Sequence, residues 1–166
     1  MTSTSEVDRA WVAMEFVKVI DKERSILSTA KGRAEAPPAP ILAVLYHEIA
    51  ENDQRHVGVL EIIATRYGHT PSRGEGTGVG ETLGRLKDSV ANLGTSFLDL
   101  LSQDLGAKAE AIQWETAWLQ TFKAIGDDES GKELEMILTE DQKHMAALQK
   151  ALNRMVENGA RGVKLS

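Results

Sequence analysis

The chain contains no cysteine, which removes disulfides, zinc–thiolate sites, iron–sulfur clusters and any thiol nucleophile. No run of residues approaches the roughly 18 consecutive apolar positions that a membrane span requires. Aromatic residues make up only 5% of the sequence and no alternating β-branched run occurs, so strand signals are missing. Basic residues such as Lys18, Lys22, Arg24 and Lys31 are mixed with acids, and the net charge is −6. The concentrated basic face with which nucleic-acid binders coat phosphate is therefore lacking. The opening residues Met1-Thr2-Ser3-Thr4-Ser5-Glu6 have neither the basic start nor the apolar core of a secretory signal, so the expected compartment is the cytoplasm. Neither nucleic acid nor a membrane is an expected partner.

What the 166 residues do carry is helical periodicity. One domain is expected over residues 1–166, with a core from about 7 to 157. A first helix is predicted from about Val7 to Ala30, with Val12, Phe16, Val19, Ile26 and Ala30 on one stripe, ending near Gly32. The segment Arg33-Ala34-Glu35-Ala36-Pro37-Pro38-Ala39-Pro40 then forms a loop whose last proline opens the next helix. That second helix should reach Tyr67, with Leu42, Leu45, Ile49, Leu60 and Ile63 inward. A Gly-rich link at 68–80 follows, then a short amphipathic helix from Glu81 to Leu93. Thr95-Ser96 offers an N-cap for a third long helix to about Ile125, with Leu101, Leu105, Ile112, Leu119 and Phe122 inward. The connector Gly126-Asp127-Asp128-Glu129-Ser130 launches a fourth, with Leu134, Leu138, Met145, Leu148, Leu152 and Met155 on its stripe. A frayed tail is expected over 159–166. Two hairpins with short loops, joined by one long crossover, give an all-α four-helix bundle.

The most informative feature is a repeat. Asp53-Gln54-Arg55-His56 returns 88 residues later as Asp141-Gln142-Lys143-His144. Positions i and i+3 of a helix share a face, so each copy points a carboxylate and an imidazole the same way. Both copies interrupt an apolar stripe at core-facing positions. Two acid-x-x-His pairs on two helices, with one carboxylate from each of the other two, are the donor set of a di-metal carboxylate centre in a bundle. Hard oxygen plus imidazole nitrogen suits iron or manganese.

Helical phase supplies the two single acids. Glu23 falls in the series Val12, Phe16, Val19, Glu23, Ile26, Ala30, and Glu115 lies between Ile112 and Leu119. Counting outward from the proline loop instead puts Glu15 at the level of Asp53 and His56, so Glu15 competes with Glu23 for the first-helix position. Glu110 shares a half-solvated face with Gln103, Ala107, Trp114 and Thr121. Tyr46 reads as packing, with a hydrogen-bonding or redox role beside the site as the alternative; His47 and His69 read as surface or loop residues. Trp11, Trp114 and Trp118 suit packing or a dimer interface. The Gly74-Glu75-Gly76-Thr77-Gly78 segment has neither the Lys-Ser/Thr nor the preceding strand of a phosphate-binding loop.

The set Glu23, Asp53-x-x-His56, Glu115, Asp141-x-x-His144 resembles the ligand pattern of the ferritin-like superfamily, and its layout is similar to rubrerythrin-type domains and bacterial stress-associated ferritin-like proteins. The resemblance runs over all four long helices, roughly Val7 to Met155. It implies a ferritin-like bundle, a homodimer, two bound iron ions with manganese as the alternative, and ferroxidase-like or peroxide- or oxygen-reducing oxidoreductase activity in stress or metal handling. Two departures stand out. Both glutamates of the paired motifs are aspartates here, so each carboxylate reaches about 1.3 Å less; tightening, one metal or none are the open outcomes. The cysteine-rich electron-transfer module of complete rubrerythrins is absent, so turnover needs an external electron donor. The alternative expectation is a non-catalytic bundle with a metal-free polar centre, acting as a structural or interaction module.

Overall fold

The first long helix, α1, spans Arg9–Glu35. Asp8 caps it by accepting from the backbone N–H of Trp11. It runs five residues past the expected Ala30, through Gly32. A 3-10 turn at Pro40–Leu42 leads into α2, Ala43–Arg66. Next, α3 spans Phe97–Ile125 with Ser96 accepting from the N–H of Asp99, the capping role expected of that position. It stops at Gly126, whose φ of 77° favours a residue without a Cβ. Asp127 then caps α4, Asp128–Ala160. This helix continues through Asn158-Gly159, where a frayed tail was expected. The computed structural model describes residues 6–71 and 96–163; the short helix expected at 81–93, most of the Gly-rich link and residues 164–166 lie outside them. Among the described residues there is no strand, and no helix is long and apolar enough to cross a membrane.

Pairing is by hairpins: α1 packs along α2 and α3 along α4, with α1 also against α3 and α2 against α4. At one end of the bundle Arg66, the last residue of α2, pairs with Glu129 and Glu133 at the start of α4. There the Tyr67 hydroxyl also donates to Asp127 at 2.6 Å. At the other end Asp104, early in α3, meets Arg33 late in α1 and Tyr46 early in α2. The end of α2 and the start of α3 thus lie at opposite ends of the bundle.

Apolar layers flank a polar middle. Phe16, Trp118 and Phe122 interlock at one end, with Phe16 edge-on to Trp118 at 5.2 Å and to Phe122 at 5.5 Å. Toward the other end Leu42, Ile49, Leu101, Leu148 and Met155 are buried. Each buried side chain of this size contributes about 2 kcal/mol, and such layers are what allow charged groups between them.

The buried stripe of α3 differs from the expected one. Leu105 and Ile112 sit half-buried on the flank, while Leu101, Asp104, Lys108, Ala111, Glu115 and Trp118 face inward. The apolar residues of α3 cover more than half of its circumference, so hydrophobicity alone places the inner face about one residue off. Ile26 of α1 is likewise half-buried, and Leu27 takes the core position.

Candidate metal centre

Polar side chains from all four helices meet in the middle layer. α1 contributes Glu23, α2 Asp53 and His56, α3 Lys108 and Glu115, and α4 Asp141 and His144; none is more than 4% exposed. Glu15, the rival for the first-helix position, instead faces the outside and pairs with Lys18. Glu110 is exposed and pairs with Lys22. Periodicity placed Glu23 on the buried face because it shares the phase of Val12, Phe16, Val19 and Leu27, whereas counting from a proline loop assumed a loop length.

The two imidazoles face each other with ring centres 6.2 Å apart. Each turns Nδ1 inward. His56 Nδ1 lies 3.3 Å from Glu23 Oε1, 3.6 Å from Asp53 Oδ1 and 3.5 Å from Asp141 Oδ1. His144 Nδ1 lies 3.4 Å from Asp141 Oδ1 and 3.7 Å from Asp53 Oδ1.

The outward nitrogens are held crosswise. His56 Nε2 is 2.6 Å from Glu140 Oε2 on α4, and His144 Nε2 is 3.0 Å from Asn52 Nδ2 on α2. Glu140 and Asn52 occupy equivalent positions, each directly before the aspartate of its motif. The position before each aspartate thus has the same structural role in both copies, although the residue differs, Asn in one and Glu in the other. Arg55 ties them together, donating to Glu140 Oε2 at 2.6 Å and to Asn52 Oδ1 at 3.1 Å.

These contacts give the two histidines different tautomers. An ionised carboxylate only accepts, so His56 donates its Nε2–H to Glu140, and the neutral ring keeps its lone pair on Nδ1, which accepts from Glu23 when that carboxyl is protonated. Asn52 commits its oxygen to Arg55, so its amide nitrogen donates to His144 Nε2. Neutral His144 then carries its proton on Nδ1, aimed at Asp141.

Lys108 is the residue that sequence reasoning missed. Its ammonium donates to Asp53 Oδ1 at 2.8 Å and Asp141 Oδ1 at 2.7 Å, with Glu23 Oε1 at 3.6 Å. A lysine reads as a surface residue, but its phase relative to Glu115, through Ala111, is that of an inward position. One turn earlier, buried Asp104 accepts from the Tyr46 hydroxyl at 2.5 Å and from Arg33 at 3.1 and 3.3 Å. Tyr46 is thereby tied to Asp104. His47 is exposed and His69 half-buried on the turn after α2.

Electrostatics follow from burial and crowding. Removal from water pushes Glu115 up to about 10 and Glu23 to about 7. Burial raises Asp53 too, against the pull of Lys108 and with the charge of Asp141 adding to the rise. Asp141 goes the other way: burial opposes its charge, but His144, Lys108 and His56 hold its carboxyl well below the usual range. Burial works against a charged Lys108, yet Glu23, Asp141 and Asp53 outweigh it and keep the ammonium protonated. His56 is raised because Glu23, Asp141 and Glu140 overcome its burial.

The donor set can hold a metal ion. Glu23, Asp53, His56 and Asp141 each bring one ligand atom within 4.8 Å of the others. Glu23 Oε2, Asp53 Oδ2, both oxygens of Glu115, Asp141 Oδ2 and His144 Nδ1 are buried without a hydrogen-bond partner. Among the described residues these are the only such side-chain atoms. All belong to the six candidate ligands selected from sequence. An unpartnered buried oxygen is costly, and a cation is what such a group of oxygens accommodates. No protein-family model, curated protein or solved structure matches the chain.

Proposed function

We propose that the chain is a carboxylate–histidine metal protein of the ferritin-like kind, whose interior binds a redox-active divalent ion, iron or manganese, and reduces oxygen or peroxide. The observation that carries this reading is the confinement, among the described residues, of the unpartnered buried side-chain polar atoms to Glu23, Asp53, Glu115, Asp141 and His144. The mixed oxygen and imidazole donors favour iron or manganese over softer-ligand metals. The bound ion supplies one-electron chemistry and a Lewis-acidic site for the oxidant.

The protein's own residues do the rest. His56 is oriented by Glu140, a carboxylate–histidine arrangement that fixes the imidazole and raises its basicity as a ligand. Glu23 and Glu115, with pKa values raised by burial, hold protons in the metal-free centre and release them as a cation enters. The apolar layers on either side exclude water. Without cysteine, the chain draws its electrons from an external donor, and a homodimer using the exposed faces of Trp11 and Trp114 belongs to the same reading.

A second reading is favoured by Lys108. Its ammonium already pairs with both aspartates, so the bundle can balance part of its buried charge with no metal and serve as a structural or interaction module. Metal analysis separates the two. The first reading expects iron or manganese to co-purify or to bind on addition, to be lost in His56→Ala, and to support consumption of hydrogen peroxide or oxygen with a chemical reductant. Protein that takes up neither ion, and whose unfolding temperature ignores both, leaves the second.

A further inference from the structure

We propose that Lys108 is a fixed second cation: the centre takes one metal ion, held by Glu23, Asp53, His56 and Asp141, with the lysine ammonium in place of another. This rests on the metal-binding reading above and specifies it.

Two independent features of the geometry carry the inference. The first is the position of Nζ. It contacts the Oδ1 atoms of the two aspartates at 2.8 and 2.7 Å and is 1% exposed. Those carboxylates, one from each repeated motif, are the pair placed to be shared between two ions. An ammonium at hydrogen-bond distance from both oxygens occupies the space of a cation and neutralises charge that a second ion would otherwise neutralise. The unpartnered Oδ2 atoms and Glu23 Oε2 remain for one ion.

The second is the asymmetry of the histidines. Glu140 holds the Nε2–H of His56 and leaves Nδ1 to ligate. Asn52 donates to Nε2 of His144, which puts the proton of the neutral ring on Nδ1 and removes the lone pair with which that nitrogen would ligate. The four residues whose ligand atoms converge include His56 and leave out His144 and Glu115. One histidine of the repeated motif is thus prepared to ligate a metal ion and the other is not.

The shortened side chains fit this arrangement. An ammonium donating along hydrogen bonds of 2.7–2.8 Å stands farther from its oxygens than iron or manganese stands from a ligand. The long arm of Lys108 comes in from α3 to meet the aspartates.

The test is metal stoichiometry, measured by elemental analysis after saturation with ferrous iron or manganese and removal of loosely held ion on a desalting column. Wild-type protein is expected to retain one ion per chain and Lys108→Met two. Lys108→Arg, which keeps the charge, should remain at one. Metal-free Lys108→Met should also unfold roughly 10 °C below wild type, because the paired acids lose their cation, and it should recover that loss on binding metal. Two ions in wild type, or one in both wild type and a folded Lys108→Met, overturns the assignment. No ion in any of the three proteins refutes metal binding altogether, a distinct result. The wild-type count stands on its own if Lys108→Met does not fold.

Discussion

The Nε2 of His56 on α2 lies 2.6 Å from Oε2 of Glu140 on α4, so the imidazole of one repeated motif is anchored by the residue that precedes the aspartate of the other. Glu140 is partly exposed and its carboxyl is held below the usual range by His56 and Arg55, against its own partial burial. It therefore stays ionised and keeps the proton of His56 on the outer nitrogen. Carboxylates in this relation to a ligating histidine typically influence metal affinity by about 10–100-fold. Glu140→Ala is accordingly expected to weaken iron or manganese binding by at least about tenfold in a competition titration against a chelator. Glu140→Gln, which preserves an acceptor, should fall between it and wild type. Unchanged affinity in Glu140→Ala would mean that His56 is not a ligand.

The metal-free protein should lose stability as pH rises. Glu23 has a pKa of about 7 when folded against 4.5 ordinarily, so across that interval the folded state holds more protons than the unfolded state, and stability declines toward higher pH. At about 1.4 kcal/mol per unit, this group alone accounts for roughly 3 kcal/mol between pH 4.5 and 8. Glu115 extends the decline toward pH 10. His56, also raised, acts in the same direction, its contribution complete below 6.5 and lost as pH rises through its folded value. Asp141 acts oppositely, but only as pH falls below 3.8. Thermal unfolding in the presence of a chelator is therefore expected to give a lower midpoint at pH 8.5 than at pH 5.5. With saturating manganese the slope should flatten, since the ion displaces those protons. A chelated protein equally stable at both pH values contradicts this account of the acids.

Asp104 binds three elements together, accepting from Arg33 of α1 and Tyr46 of α2 while it sits on α3. Removing its carboxylate leaves a largely buried guanidinium and a fully buried hydroxyl without their acceptor. Asp104→Ala is expected to destabilise the fold by about 3 kcal/mol in urea unfolding. A loss below about 1 kcal/mol, the value for an exposed pair, would show that the network does not hold the α1–α2–α3 end.

Two glycines flank the start of α4 and should respond oppositely to alanine. Gly126 has a φ of 77°, where a Cβ is strained whatever room surrounds it, and Gly126→Ala should cost about 1 kcal/mol. Gly131 is buried inside α4, and a Cβ there meets Leu119, Phe122 and Lys123 at 4.0 Å, ordinary contact. Gly131→Ala is expected to gain roughly 0.5–1 kcal/mol from helix propensity. Chemical denaturation of both variants checks the pair, and stabilisation by Gly126→Ala would contradict the left-handed cap.

Much of this was legible in the sequence because a helix that buries a polar residue must place it in the apolar phase. Glu23, Asp53, His56, Asp141 and His144 interrupt stripes that are otherwise plain, and the structure brings them together with Glu115. The helical bundle was readable for the same reason, together with Ser96 as a cap and Gly126 as a stop. Lys108 was not, since α3 carries apolar residues such as Leu105 and Ile112 around much of its surface and its inner face cannot be found from hydrophobicity. Asn52 and Glu140 stand directly before the two Asp-x-x-His motifs but carry no signal of their own until the crossing of α2 and α4 sets each opposite the other helix's histidine.

The central claim, that this polar layer is a metal centre, is tested most directly by anomalous diffraction at the iron absorption edge from crystals grown with ferrous iron under anaerobic conditions. The account predicts a peak enclosed by Glu23, Asp53, His56 and Asp141. Ordered side chains at these four positions with no anomalous density among them would contradict it.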